Sequence, residues 1–153
     1  MRVGMAHSIL LKKPNGGKKT MNRLERHVGK EKSVKIMESC GRRCCGSTTR
    51  NHVKKIAEES SSVKDFLEKL NRAGIGGGRL ILKDKKTIMG GYDHCYCGQV
   101  KQTIVPFPTT TYCHCSVGWY TQLFESALGK SVDVEIVQSI VMGAPRYEFV
   151  IHI

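Results

Sequence analysis

At Gly76-Gly77-Gly78 the spacing of apolar residues changes period, and that change leaves few folds open to the chain. Upstream the period is helical. Val63, Phe66, Leu67, Leu70 and Ala73 form one stripe, Ser62 with Asp65 three residues on is a capping-box variant, and Gly74 is a stop. Earlier still, Gly29 divides a short helix from a second one carrying Val34, Met37 and Cys40, with Glu31 and Lys35 paired at i,i+4. Gly41 is expected to end or bend that helix, and Thr48 or Thr49 to cap a third carrying Val53, Ile56 and Ala57.

Downstream the period is two. Leu80 and Leu82 alternate with Ile81 and Lys83, Asp84-Lys85-Lys86 reads as a turn, and a return strand starts at Thr87, with a bulge expected at Gly90-Gly91 before Tyr92. One more helix interrupts, capped by Ser116 and apolar along Trp119, Tyr120, Leu123, Phe124, Ala127 and Leu128, with Gly129 closing it. A second hairpin then ends the chain: Val132, Val134, Ile136, Ile140 and Met142 on one strand, Tyr147, Phe149, Ile151 and Ile153 on the other, and Gly143 to Arg146 between them. Two hairpins with helices predict an α+β fold, helices packed on one face of a mainly antiparallel four-stranded sheet built from two hairpins. Residues 1–20 read as a basic, flexible tail, and 21–153 as a single α+β ligand-binding-like domain; Met5 and Met21 are alternative starts.

The thiols carry the chemistry. Cys95 and Cys97 form one Cys-x-Cys pair and Cys113 and Cys115 another, with residues 98–112 between them, including Pro106 and Pro108. In extended chain, residues i and i+2 face the same side, so each pair presents two thiols together and a loop can bring the pairs into one place. A third cluster holds Cys40, Cys44 and Cys45. Buried inert thiols are the plain alternative. The count of seven is odd, so complete internal pairing is impossible, and the absence of a signal-like start points to a cytoplasmic chain in which clustered thiols favour metal or redox chemistry. Cys95, Cys97, Cys113 and Cys115, with Cys40 and Cys44 able to replace a pair, are therefore candidate ligands for zinc or, less favoured, an iron–sulfur cluster. Extended chain would turn His94 and His114 away from their neighbouring thiols, which disfavours a local Cys–His couple.

The net charge of +12 is uneven: residues 1–76 hold 18 Lys/Arg against 7 Asp/Glu, and residues 77–153 hold 7 against 6. A basic half of this kind can meet a polyanion, but no nucleic-acid motif accompanies it, and a solvated helical face with a disordered basic tail is the favoured reading. No run approaches the roughly 20 apolar residues of a membrane span, and the glycines match neither a dinucleotide fingerprint nor a P-loop.

The segment from Gly118 to Ile153 resembles the terminal motif of vinyl-4-reductase domains: a helix ending in leucine-glycine, a strand of alternating valines, then G-x-x-x-C-x-F-x-I. Over residues 30–153 the chain more closely resembles a poorly characterised prokaryotic branch with a CGRxC helix end, a CYC strand and a YCxCSVGW segment, here Cys40–Cys44, Cys95–Cys97 and Tyr112–Trp119. That branch is related to the superfamily of vinyl-4-reductase, haem nitric-oxide-binding and TRAPP domains, and is similar to L-2-amino-thiazoline-4-carboxylate hydrolase-like proteins. The resemblance implies a small-molecule or lipid-binding domain, often dimeric, with Tyr112, Trp119 and Tyr147 near the ligand. Tyr147 stands where the motif has its final Cys, and no Tyr-x-Ser-x-Arg haem triad is evident.

Three functions follow from these residues. The first is a small-molecule- or metal-binding domain with its cysteines at the ligand site. The second is a thiol-dependent hydrolase or redox enzyme acting on a small sulfur or nitrogen compound, with Cys44 or Cys113 as nucleophile. The third is a nucleic-acid-binding protein using the basic N-terminal half.

Overall fold

The computed structural model describes residues 16–97 and 109–153. Among them the chain forms α1 (Gly16–Val28), α2 (Lys30–Cys44), α3 (Ser47–Glu58), α4 (Val63–Arg72), β1 (Ile81–Leu82), β2 (Thr87–Tyr92), α5 (His114–Leu128), β3 (Asp133–Gln138) and β4 (Tyr147–His152). The strands make one antiparallel sheet in the order β1-β2-β4-β3 with the helices packed against it, which is the expected α+β arrangement. The basic tail was expected to reach residue 20, yet α1 starts at Gly16; residues 1–15 lie outside the described residues, as does most of the linker that carries Pro106 and Pro108.

β4 is paired on both sides and supplies the centre of the core. Tyr147, Phe149 and Ile151 face inward and are almost wholly buried, as the alternation predicts. Against them lies α5, with Tyr120, Leu123 and Phe124 fully buried and the Tyr120 ring 5.1 Å from that of Phe149. α4 adds Phe66, edge-on to Phe124 at 6.3 Å. Each such large side chain contributes about 1.5–3 kcal/mol on burial.

Several boundaries follow local chemistry as expected. Gly29 sits at φ 81° between α1 and α2, Gly74 and Gly129 take left-handed conformations after their helices, and the Ser62 side chain accepts from the Asp65 backbone N–H at 3.2 Å. Others differ. α2 does not end at Gly41 but runs through it to Cys44, because Gly41 is there for a helix crossing: a Cβ at Gly41 would overlap the Cys115 carbonyl, and one at Gly118 the Glu38 carbonyl. α2 and α5 thus approach backbone to backbone. α3 starts after Gly46 rather than at Thr48 or Thr49. No bulge forms at Gly90-Gly91. Gly90 pairs with Phe149 and Gly91 with Glu148 in regular register, and the lack of side chains instead makes room for Leu80 and for the Tyr147 carbonyl.

The last hairpin also departs from simple alternation. β3 stops at Gln138 after an irregularity between Ile136 and Gln138, and Ile140–Met142 form a 3-10 turn. That turn leaves Met142 exposed and sends Val141 and Ser139 into the core.

Candidate functional site

Three segments build the site: the chain leaving β2 and the start of α5 bring the thiols, and the start of β4 brings Tyr147. β2 ends at Tyr92, and residues 93–97 continue without strand pairing. Asp93 anchors this stretch, with one carboxylate oxygen 2.7 Å from Arg79 and the other 3.8 Å from Arg146. Burial still alternates along it: His94 and Tyr96 are exposed, and Cys95 and Cys97 are half-buried. The extended-chain expectation therefore holds for this pair.

It does not hold for the second pair. Thr111–Cys113 form a 3-10 turn that passes directly into α5, with Cys113 in the N-cap position and in helical conformation. Successive residues in a helix turn by about a quarter of a revolution rather than a half, so Cys113 and Cys115 do not share a face through strand geometry. Cys113 is buried and Cys115 half-buried. His114 is turned to Glu38 on α2, 2.9 Å from its carboxylate, rather than lying loose on the surface. That contact holds the ring against α2 through Nδ1.

Tyrosine hydroxyls join the two pairs. The Cys113 thiol donates to the Tyr147 hydroxyl at 3.9 Å, and Cys95 lies close enough to raise that tyrosine further. Cys113 also meets the Ser139 hydroxyl at 2.8 Å, and Cys97 meets the Tyr112 hydroxyl at 2.8 Å. The Ser116 hydroxyl, next to Cys115 in sequence, hydrogen-bonds to Tyr92. The Tyr92 ring packs on Tyr147 at 4.8 Å and on Phe149 at 5.8 Å, which closes the network against the core. Cys97 thus lies beside Tyr112 and Cys113 beside Tyr147, which places the two couples on one side of the core.

Burial sets the protonation of the network. It pushes the Cys113 thiol up to about 11 and the Cys115 thiol up to about 12, the Ser139 and Ser116 hydroxyls only partly offsetting it. Tyr92, Tyr112 and Tyr147 are raised for the same reason, and for Tyr147 the nearby Cys113 and Cys95 add to the effect. At neutral pH Cys113, Cys115, Tyr92, Tyr112 and Tyr147 therefore all keep their protons. A buried thiol of this kind is a poor nucleophile.

The remaining expected site residues lie elsewhere. Cys40 and Cys44 are exposed on α2, and the groups acting on Cys113 and Cys115 are their own hydroxyl partners and the other thiols of the two Cys-x-Cys pairs. Trp119 packs edge-on to Tyr120 at 5.4 Å, on the core side of α5. Among the described residues no three or more His, Cys, Asp or Glu side chains stand where they could hold a metal ion together. Tyr92, Ser116 and Ser139 belong to the network although the sequence did not single them out for it. Ser116 reads as a helix cap, and Ser139 is turned inward only by the break in β3, which strand alternation cannot show.

No match is found among curated proteins. Among solved structures, the chain is similar to the phenol-responsive sensory domain of the transcription activator PoxR with phenol, at TM-score 0.51 and 12% identity, over 88% of this chain and 71% of that one. It is also similar to trafficking protein particle complex subunit 3 from Naegleria fowleri covalently bound to palmitic acid, at TM-score 0.49 and 14% identity, over 88% and 91%. A model of a family of unknown function, DUF6144, matches residues 7–151, nearly the whole chain and all seven of its cysteines, and the protein belongs to that family.

Proposed function

We propose that this domain binds a small uncharged molecule at the thiol–tyrosine network. The observation that carries the reading is the Cys113 thiol at the start of α5, which donates to the Tyr147 hydroxyl of β4 at 3.9 Å and meets the Ser139 hydroxyl at 2.8 Å, so that distant stretches of chain converge on it. Hydroxyls and thiols that keep their protons offer directional hydrogen bonds without charge, beside the aromatic rings of Tyr92, Tyr147 and Phe149. That chemistry suits a neutral, polarisable ligand with one or two polar atoms better than a carboxylate or phosphate. The resemblance of the last segment to vinyl-4-reductase domains supports the same reading.

The PoxR sensory domain, which shares the fold, is phenol-responsive, and this makes phenol the first probe. Calorimetry and thermal unfolding of the reduced full chain with phenol and substituted phenols test the proposal. Saturation at about 100 times Kd raises stability by about 2.7 kcal/mol, and Tyr147→Phe, which keeps the ring, weakens binding about tenfold, equivalent to about 1.4 kcal/mol. The absence of any shift across the phenols, or affinity unchanged in Tyr147→Phe, overturns it. Elemental analysis of anaerobically purified protein is the companion measurement: zinc or iron near one per chain, lost with Cys95→Ser, replaces the small molecule with a thiolate metal site.

The thiol-enzyme reading has less support. Burial raises the Cys113 thiol, so it keeps its proton at neutral pH.

A further inference from the structure

The segment Cys40-Gly41-Arg42-Arg43-Cys44-Cys45 divides its residues between two tasks. Gly41 meets the Cys115 backbone, Arg42 forms two hydrogen bonds with Glu125 of α5 at 2.7 and 3.3 Å, and Cys45 is buried. These residues dock α2. Cys40 and Cys44 take no part in the docking and are exposed. Cysteine is among the residues most often buried, so two of them exposed one helical turn apart on α2 are not explained by packing.

We propose that Cys40 and Cys44 form a two-thiolate site for a soft metal ion of low coordination number, monovalent copper in kind. Residues i and i+4 on a helix carry their Cβ atoms about 5–6 Å apart on one face, and C–S bonds turned toward each other narrow that gap to what a single ion spans between two sulfurs. Thiolate ligands suit soft ions, Cu(I) among them. Among the described residues no third His, Cys, Asp or Glu stands close enough to complete a larger set, which disfavours the four ligands that zinc demands and suits an ion content with two. Both thiols lose a proton on binding, so one Cu(I) displaces two protons to solvent and leaves a bis-thiolate centre with one net negative charge. Arg43, exposed between the two cysteines in sequence, supplies a compensating positive charge.

The test is an anaerobic Cu(I) titration of the reduced full chain in competition with a chromophoric Cu(I) chelator, on wild type, Cys40→Ser, Cys44→Ser and the double variant. Both positions are exposed, so the variants are expected to keep the wild-type circular dichroism. Each single variant is expected to weaken uptake by more than the roughly 10- to 100-fold that loss of an outer-shell partner costs, and the double variant to take up one Cu(I) fewer per chain. Equal stoichiometry and affinity in the wild type and the double variant overturn the proposal, and place any copper uptake at the buried thiols instead. Phenol affinity in the double variant is expected to equal that of the wild type.

Discussion

The seven cysteines form two populations that differ in surroundings rather than in sequence signal. Cys95, Cys97, Cys113 and Cys115 face tyrosine and serine hydroxyls, and the two in the second pair have their protons held by burial. Cys40 and Cys44 stand in water on one turn of α2. Each set has the short spacing that marks a ligand group on paper. What separates them is which strands and turns lie opposite: β4 brings Tyr147 to the first set, and nothing among the described residues brings an equivalent to the second. Thiol chemistry here is decided by the partner strand.

Gly41 joins the two populations, since it lies between Cys40 and Cys44 in sequence and touches Cys115 in space. Gly41→Val is the largest perturbation available, because the added side chain overlaps a backbone carbonyl that no rotamer change can move. We expect a loss of about 3 kcal/mol or more in urea unfolding. Labelling by iodoacetamide is expected to accelerate at Cys113 and Cys115, with Cys40 and Cys44 still the first to react. Unchanged stability, or Cys113 and Cys115 reacting as fast as Cys40 in the wild type, removes the distinction between buried and exposed sets.

Alkaline pH separates the sets next. The folded Cys113 thiol at about 11 lies above its ordinary value of 9.0, so the folded state binds the proton more tightly than the unfolded chain. Its contribution is complete below pH 9 and is lost as pH rises through 11; Cys115 adds the same sign up to about 12. Unfolding midpoints are therefore expected to fall above pH 9. Cys113→Ala should flatten that fall, whereas Cys40→Ser should leave it as steep. A fall of equal slope in all three proteins would show that burial of the second pair has no energetic consequence.

Much of this was legible in the residues. The change of period at Gly76–Gly78 gave the α+β order, and Gly29, Ser62, Gly74 and Gly129 marked helix ends by local chemistry. Strand alternation reads correctly at Cys95 and Cys97 but fails at Cys113 and Cys115, where a helix starts. What escaped was tertiary in origin. Gly41 looks like a helix stop because glycine usually weakens a helix, and its use as a contact point needs α5 in view. Ser139 looks like one more strand residue, and only the break in β3 turns it toward Cys113.

Arg42 gives the finest test of how the segment from Cys40 to Cys44 divides its work. Its guanidinium meets both oxygens of Glu125, which holds that carboxyl below its usual range and raises Arg42 in turn. The side chains are partly open to solvent, so screening limits the gain. Arg42→Lys keeps the charge and loses the two-pronged geometry, and we expect a stability loss below about 1 kcal/mol that shrinks further in high salt. The same variant should leave Cu(I) uptake at Cys40 and Cys44 unaltered, because Arg42 points to α5 and the two thiols do not. A drop in copper affinity with Arg42→Lys would mean that the docking face and the exposed face of this helix act as one unit, and the division between the two thiol populations would then have to be redrawn around the whole of α2.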